Sequence, residues 1–97
     1  MLELIKKRCG VAPAITVYDD DIEAYISDAK DDLIASGVDK SIIEAGKDGV
    51  ITAVTFYVKA NLGNDRSDTE KYMDLYRKKV FRLTLEDAIV QEETNVE

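Results

Sequence analysis

The sequence predicts an all-α fold, a small helical bundle of three main helices plus a short N-terminal helix, with an acidic C-terminal tail. Its 97 residues suffice for one domain and are too few for a second independent core. One proline and five glycines leave few helix breakers, and alanine, leucine, lysine and the acidic residues, which favour helices, are plentiful. Apolar residues recur at spacings of three and four, which is typical of helices packed on a core.

The first two helices are predicted at residues 2–9 and about 20–36. The aspartates at 19–21 are expected to cap the second helix and to favour the positive end of its dipole. Gly37 stands where a left-handed C-terminal cap is expected. The apolar stripe of this helix consists of Ile22, Ile26, Ala29 and Leu33.

A third helix is predicted to run from a cap at Asp48 to about Leu62, after a single turn at 41–45. Asp48 is expected to cap it and Gly63 to end it. Its apolar residues go nearly all round the helix axis, which is typical of a helix buried on several sides. The sequence leaves two interpretations open: this is the central helix, or part of it meets another subunit.

The last main helix is predicted from about residue 67 to Leu83. Phe81 falls roughly opposite its apolar stripe, which consists of Tyr72, Tyr76, Val80 and Leu83. From Thr84 the helical pattern dissolves, and residues 84–97 hold five acids and no base. We therefore expect a helical domain at 1–83 and, at 84–97, an acidic tail that stays flexible until it is bound.

Composition argues against catalysis and metal binding. The chain has no histidine and one cysteine, Cys9, which excludes a disulfide within the chain and a Cys/His metal site. The acidic run from Asp19 also fails the calcium-loop pattern, because Ala24 and Lys30 occupy its glycine and glutamate positions. No nucleophile with its base and no phosphate loop has the required spacing. We predict no enzyme activity, no catalytic residue, no metal site and no cofactor.

Net charge and hydropathy limit the possible cellular location of the chain and the classes of partner it can have. The net charge of −7 disfavours nonspecific binding to nucleic acid. The longest weakly charged stretch, 49–62, is shorter than the ~20 residues that span a bilayer, and residues 1–10 lack the apolar region of a signal peptide. We expect a soluble chain that is intracellular when made, with no membrane partner.

Two helices carry opposite charge, and this suggests a subunit interface. The second helix presents Asp28, Asp31 and Asp32, whereas the last presents Arg77, Lys78, Lys79 and Arg82, with Phe81 as an aromatic anchor. One interpretation is two solvated faces; the other is that the acidic face of one subunit meets the basic face of the next, a contact that closes into a ring by rotation. A third is that the basic run contacts phosphates. In the tail, Leu85, Ile89 and Val90 are candidates for folding on a partner.

Residues 17–87 resemble the small head–tail connector (adaptor) proteins of long-tailed bacteriophages, also labelled DNA-packaging proteins. The resemblance rests on the order and spacing of three segments, DDDIEAYISDAKDDLIASGV, GVITAVTFYVKANLG and EKYMDLYRKKVFRLTLED. After Leu83 the family usually has small polar residues ending in an aromatic, where this chain has TLED.

The resemblance implies an all-helical structural protein of the virion. It implies a ring, dodecameric in the virion, that docks beneath the portal protein at the capsid vertex, extends the DNA channel and receives the next connector, stopper or tail protein. DNA would pass through without specific binding. The alternatives are a small helical DNA-binding packaging or regulatory module, and a helical adaptor or inhibitor of a host protein.

Overall fold

Five helices form the chain in the computed structural model, which describes the backbone of residues 1–62 and 66–95 and the side chains of 1–62 and 68–85. No strand occurs in these ranges. The helices are α1 (Leu2–Arg8), α2 (Asp19–Ala35), α3 (Lys40–Ala45), α4 (Asp48–Leu62) and α5 (Arg66–Asn95). The predicted all-α fold is confirmed. α4 ends at Leu62 as predicted, but Asp48, which was expected to cap it, is its first helical residue. Gly63, which was expected to end α4, lies outside the described residues.

The central helix is α4. Every residue from Gly49 to Ala60 is buried or half-buried, and α4 packs against α1, α2 and α5 of its own chain. Of the two interpretations of its apolar surface, the first is confirmed. Three neighbouring helices cover most of α4, and Phe56, which is half-buried, remains partly open to the surface. That part of α4 meets another subunit stays a prediction.

The last helix is longer than the sequence predicts. α5 begins at Arg66 and passes Leu83 to end at Asn95, so no change of backbone structure marks the expected start of the tail. No glycine or proline occurs between 66 and 95, and the helix therefore meets no stop signal when its apolar stripe ends. That residues 84–97 order on a partner stays a prediction.

The two ends of the bundle are defined by where the helices meet. At one end, which we call the α1 end, Lys6 of α1 pairs with Asp19 at the start of α2. Cys9, which is half-buried, lines a cavity there with residues from the end of α4 and the start of α5.

The opposite end, which we call the Gly49 end, holds the start of α4. A Cβ built on Gly49 would lie 3.0 Å from Cδ2 of Leu83 in α5, and one built on Gly37, just after α2, would lie 3.9 Å from Cγ2 of Thr84. α2 therefore runs antiparallel to α4, since its start lies at the α1 end and its last turn at the Gly49 end.

A buried ion pair joins α1 to α2. The Lys6 side chain is 1% exposed, and its Nζ lies 2.8 Å from Oδ1 of Asp19, whose side chain is 25% exposed. Nζ also donates to the carbonyl oxygen of Pro13 at 3.2 Å. Oδ1 of Asp19 accepts no well-directed hydrogen bond in the described part of the chain, so the contact is chiefly electrostatic.

The start of α2 differs from the prediction in one detail. The N-cap is Tyr18, which makes no side-chain capping bond, and the aspartates at 19–21 lie inside the first turn. The predicted capping by these aspartates is therefore wrong, because the helix begins one residue earlier than expected. Their favourable position at the positive end of the dipole is retained.

The end of α2 has the predicted glycine cap. Gly37 has a φ of +101°, and its N–H donates to the carbonyl of Ile34 at 3.1 Å. The N–H of Val38 reaches the carbonyl of Leu33 at 3.0 Å. These two bonds form a Schellman motif, which satisfies carbonyls that the last turn leaves without partners. Val38 is buried beside it.

Gly37→Ala is expected to destabilise the chain by about 1 kcal/mol or more, because a side chain is disfavoured at positive φ. Urea unfolding followed by helical circular dichroism measures the effect. Ser36→Ala is the control, since Ser36 has ordinary helical angles (φ −82°, ψ −6°). Equal stability of the two variants would contradict the left-handed cap.

Candidate functional site: the outer face of α5

The predicted interface residues of α5 line one open groove. The groove has a volume of about 550 Å³. Its lining combines four cations with three apolar side chains, and the set is Phe56, Leu75, Arg77, Lys78, Lys79, Phe81 and Arg82. The structure thus brings together all five residues that the sequence proposed for this helix. That these residues form a subunit interface stays a prediction.

The α5 face is both apolar and cationic. Phe81 is 64% exposed, as its position opposite the buried stripe predicts. Leu85, one turn further on, is 46% exposed. Among the residues whose side chains the structure describes, no ion pair involves Lys78, Lys79 or Arg82.

Two cations of the groove have additional contacts. Arg77 lies 3.5 Å from Oδ1 of Asp74, one turn earlier on the same exposed face. Lys79 is half-buried, and its Cε lies 3.4 Å from the position that a Cβ on Gly49 would take. Lys79 therefore also packs at the junction of α4 and α5, whereas Lys78 and Arg82 are fully on the surface.

One wall of the groove comes from α4 and was missed at the level of sequence. The Phe56 ring stacks on Tyr72, with centroids 6.4 Å apart and planes inclined by 23°. The sequence placed Phe56 only among the many apolar residues of a helix that is apolar all round. Its surface role depends on where α5 crosses α4, and the one-dimensional pattern does not contain that information.

The acidic residues proposed for the interface lie on α2. Asp28, Asp31 and Asp32 are all exposed, and no ion pair joins them to the cations of α5 in the part of the chain that the structure describes. Asp32 is used within the chain, because its Oδ2 accepts a hydrogen bond of 2.5 Å from the Tyr76 hydroxyl. Asp28 and Asp31 are therefore the freer candidates for an outside contact.

A tyrosine pair sits between α2, α4 and α5. The rings of Tyr57 and Tyr76 meet edge to face at 5.2 Å. Burial, followed by the hydrogen bond to Asp32 and its charge, raises the pKa of Tyr76 far above its ordinary range. Burial also raises the pKa of Tyr57, and the charges of Asp28 and Asp32 add to that increase. This junction favours neutral phenols beside anionic carboxylates.

The free energy of unfolding is therefore expected to fall above pH 10. In the unfolded chain the pKa of a tyrosine is about 10. Below that pH, Tyr76 is protonated in both states, and its full contribution to the free energy of unfolding is present. Above it, the unfolded chain releases the proton while the folded chain retains it, which costs about 1.4 kcal/mol per pH unit for each such tyrosine. Tyr76→Phe removes the ionisable phenol, so this residue then contributes nothing to the pH dependence of the free energy of unfolding.

Urea unfolding between pH 7 and 11.5 measures the effect. Tyr76→Phe is expected to lose about 1–2 kcal/mol at pH 7, from the lost hydrogen bond, and to show a shallower decline above pH 10. Tyr18→Phe serves as the control, since Tyr18 is 47% exposed. Parallel declines for the wild type and Tyr76→Phe would refute the coupling.

The candidate residues of the tail are only partly described. Leu85 is exposed on α5, whereas the side chains of Ile89 and Val90 lie outside the described residues. Within the described ranges, no three His, Cys, Asp or Glu side chains are grouped so as to hold a metal ion. The helices of these ranges include none with the length and apolar character needed to cross a membrane.

The described part of the chain is a helical domain with its own core and an exposed basic and aromatic face. The chain belongs to the phage connector family, since the family model described as "Phage connector protein" matches residues 1–89. No curated protein and no solved structure matches the chain. The resemblance seen in the sequence is confirmed, and family membership implies a structural component of the virion.

Proposed function

We propose that the chain forms a ring beneath the portal protein at one vertex of a phage capsid. The ring, dodecameric in the virion, extends the DNA channel and joins the capsid to the next connector, stopper or tail protein. DNA passes through it without specific binding. The observation that carries the proposal is the family match over residues 1–89.

The proposed contact between copies is electrostatic at its margin and apolar at its centre. The basic face of α5 (Arg77, Lys78, Lys79 and Arg82) meets the acidic face of α2 in the next copy (Asp28, Asp31 and Asp32), and Phe81 anchors it. The exposure of Lys78 and Arg82 supports this. Charges at the margin mainly set partner choice and association rate.

The proposed contact with the portal lies in the tail. Leu85, Ile89 and Val90 would order there by burying apolar surface at roughly 25 cal/mol per Å². The exposure of Leu85 supports this role.

Electron microscopy and light scattering of the purified chain, alone and with portal protein, test the function. Rings that sit on the portal and share its axis are the expected result. Failure to form rings in both conditions would contradict the proposal. Salt-dependent gel-shift binding to DNA, without portal binding, would instead favour a DNA-binding packaging module.

Reversing two surface cations is expected to impair the ring. Lys78→Glu combined with Arg82→Glu places negative charge in the proposed contact, so assembly at low salt should weaken by about tenfold or more. Lys79 is left intact because it also packs against Gly49. Light scattering measures the oligomer, and circular dichroism verifies the fold.

The control for this pair is Lys40→Glu with Lys47→Glu, which makes the same change in net charge on exposed lysines outside α5. Rings that form equally well from both double variants would remove charge pairing from the proposal.

A further inference from the structure

The loop between α1 and α2 exposes an apolar surface that the core does not use. No charged residue occurs from Cys9 to Tyr18, and every residue from Ala12 to Tyr18 is exposed. Val17 is 76% exposed, Tyr18 47% and Ile15 45%. We call Ile15, Val17 and Tyr18 the loop patch. Contiguous exposed apolar residues of this kind mark sites of protein contact.

Exposed acids border the loop patch. Asp20 and Asp21 follow it directly in the first turn of α2, and both are exposed. Asp19, by contrast, is engaged by Lys6. The loop patch therefore combines an apolar centre with a negative margin.

The α5 patch, which we define as Phe81 and Leu85, has the complementary character. Phe81 is 64% and Leu85 46% exposed, and the exposed cations Arg77, Lys78 and Arg82 surround them along the helix. Each patch thus has an apolar centre. The exposed cations beside Phe81 are opposite in charge to the exposed acids beside the loop patch. A second copy of this chain supplies the matching surface for both.

The two patches lie toward opposite ends of the bundle. The loop patch adjoins Asp19, which pairs with α1 at the α1 end. The α5 patch neighbours Leu83, which packs at Gly49. Along α5, Tyr72 lines the cavity at the α1 end, and Phe81 follows nine residues later, roughly 14 Å along the axis. Patches so separated cannot meet within one copy, but they can meet between successive copies.

We propose that the loop patch of each copy docks on the α5 patch of the next copy, with Asp20 and Asp21 facing the cations of α5. Such a contact joins unlike surfaces head to tail, and a rotation that closes turns it into a ring. The inference rests on the proposed function and deepens it, because it identifies the apolar partner of Phe81 and adds Asp20 and Asp21, at the start of α2, to the acidic side of the contact.

Cross-linking of paired cysteines tests the contact. In a Cys9→Ser background, V17C with F81C is treated with a short bismaleimide, alone and on portal, and read by denaturing electrophoresis. We expect a ladder of trimers and larger species, since each copy then links to two neighbours. The matched control pairs I34C with F81C, because Ile34 is an equally exposed apolar residue of α2, 45% exposed, at the Gly49 end.

The outcomes separate the docking surface from the ring itself. A ladder from V17C/F81C, with at most dimers from I34C/F81C, supports the contact. Rings without the V17C/F81C ladder, or equal ladders from both pairs, overturn the contact and leave the ring standing. No rings and no ladder, alone or on portal, overturn both.

Charge reversal gives an independent test. Asp20→Lys with Asp21→Lys is expected to weaken assembly at low salt by about tenfold, and adding Arg77→Glu with Lys78→Glu should restore it. The matched control, Glu44→Lys with Glu70→Lys, makes the same charge change at two exposed acids outside α2. Equal loss from the Asp20/Asp21 and Glu44/Glu70 variants, or no rescue by the glutamates on α5, would overturn the proposed position of the contact.

Discussion

Replacing Asp19 with alanine is expected to destabilise the chain by about 3–5 kcal/mol. The Lys6 side chain is 1% exposed, and Asp19 is its only ion-pair partner among the described residues, at 2.8 Å. Without this carboxylate a buried ammonium keeps only the carbonyl of Pro13. A domain of this size has roughly 5–15 kcal/mol of stability in total, so the loss is a large share of it.

The expected loss of stability comes from the unpaired charge of Lys6. A second substitution that removes this charge should therefore restore the stability. Lys6→Met together with Asp19→Ala replaces the pair by an apolar side chain of similar length and is expected to be close to wild type in stability. Urea unfolding measures all variants. Asp20→Ala is the control, because Asp20 shares the first turn of α2 and is exposed. An Asp19→Ala variant as stable as Asp20→Ala would refute the buried pair.

Deleting residues 84–97 is expected to abolish portal binding while leaving the bundle folded. Leu83 is the last residue of the chain in the described core, and the deleted segment carries five acids and no base. Circular dichroism and urea unfolding report the fold, and co-sedimentation with portal protein reports binding. Undiminished binding would remove the tail from the proposed function.

Full-length variants separate the apolar residues of the tail from its charge. Ile89→Ser with Val90→Ser should lose most of the binding, whereas Gln91→Ser with Thr94→Ser should retain it. The opposite ranking would assign the portal contact to another part of the chain.

The helices were predictable where sequence signals and packing agree. α4 begins within one residue of the predicted start and ends at the predicted Leu62, and Gly37 ends α2 in the predicted left-handed conformation. The extent of α5 was not predictable from its apolar stripe, because a helix without glycine or proline continues when the stripe ends. The ends of these helices follow the positions of glycine and proline more closely than they follow the end of the apolar stripe.

The candidate site was predictable in its outer residues and not in its surroundings. The helical spacing placed Phe81 opposite the core, and the structure exposes it. In contrast, no sequence signal distinguishes Lys6 from Lys7 and Arg8 beside it, and only the approach of α2 buries it against Asp19. The contribution of Phe56 likewise depends on how α5 crosses α4. These are properties of tertiary contacts between distant segments.

Because α1, α2 and α5 pack around α4, mutations of interior residues and mutations of surface residues should have different effects. Residues that complete the interior of a copy, such as Val54 and Val58, are distinct from those that face outward, such as Val17 and Phe81. Lesions in the first set should lower the yield of intact polypeptide, whereas lesions in the second should leave the yield unchanged and alter only what the polypeptide joins. A collection of mutants would therefore divide into two phenotypic groups.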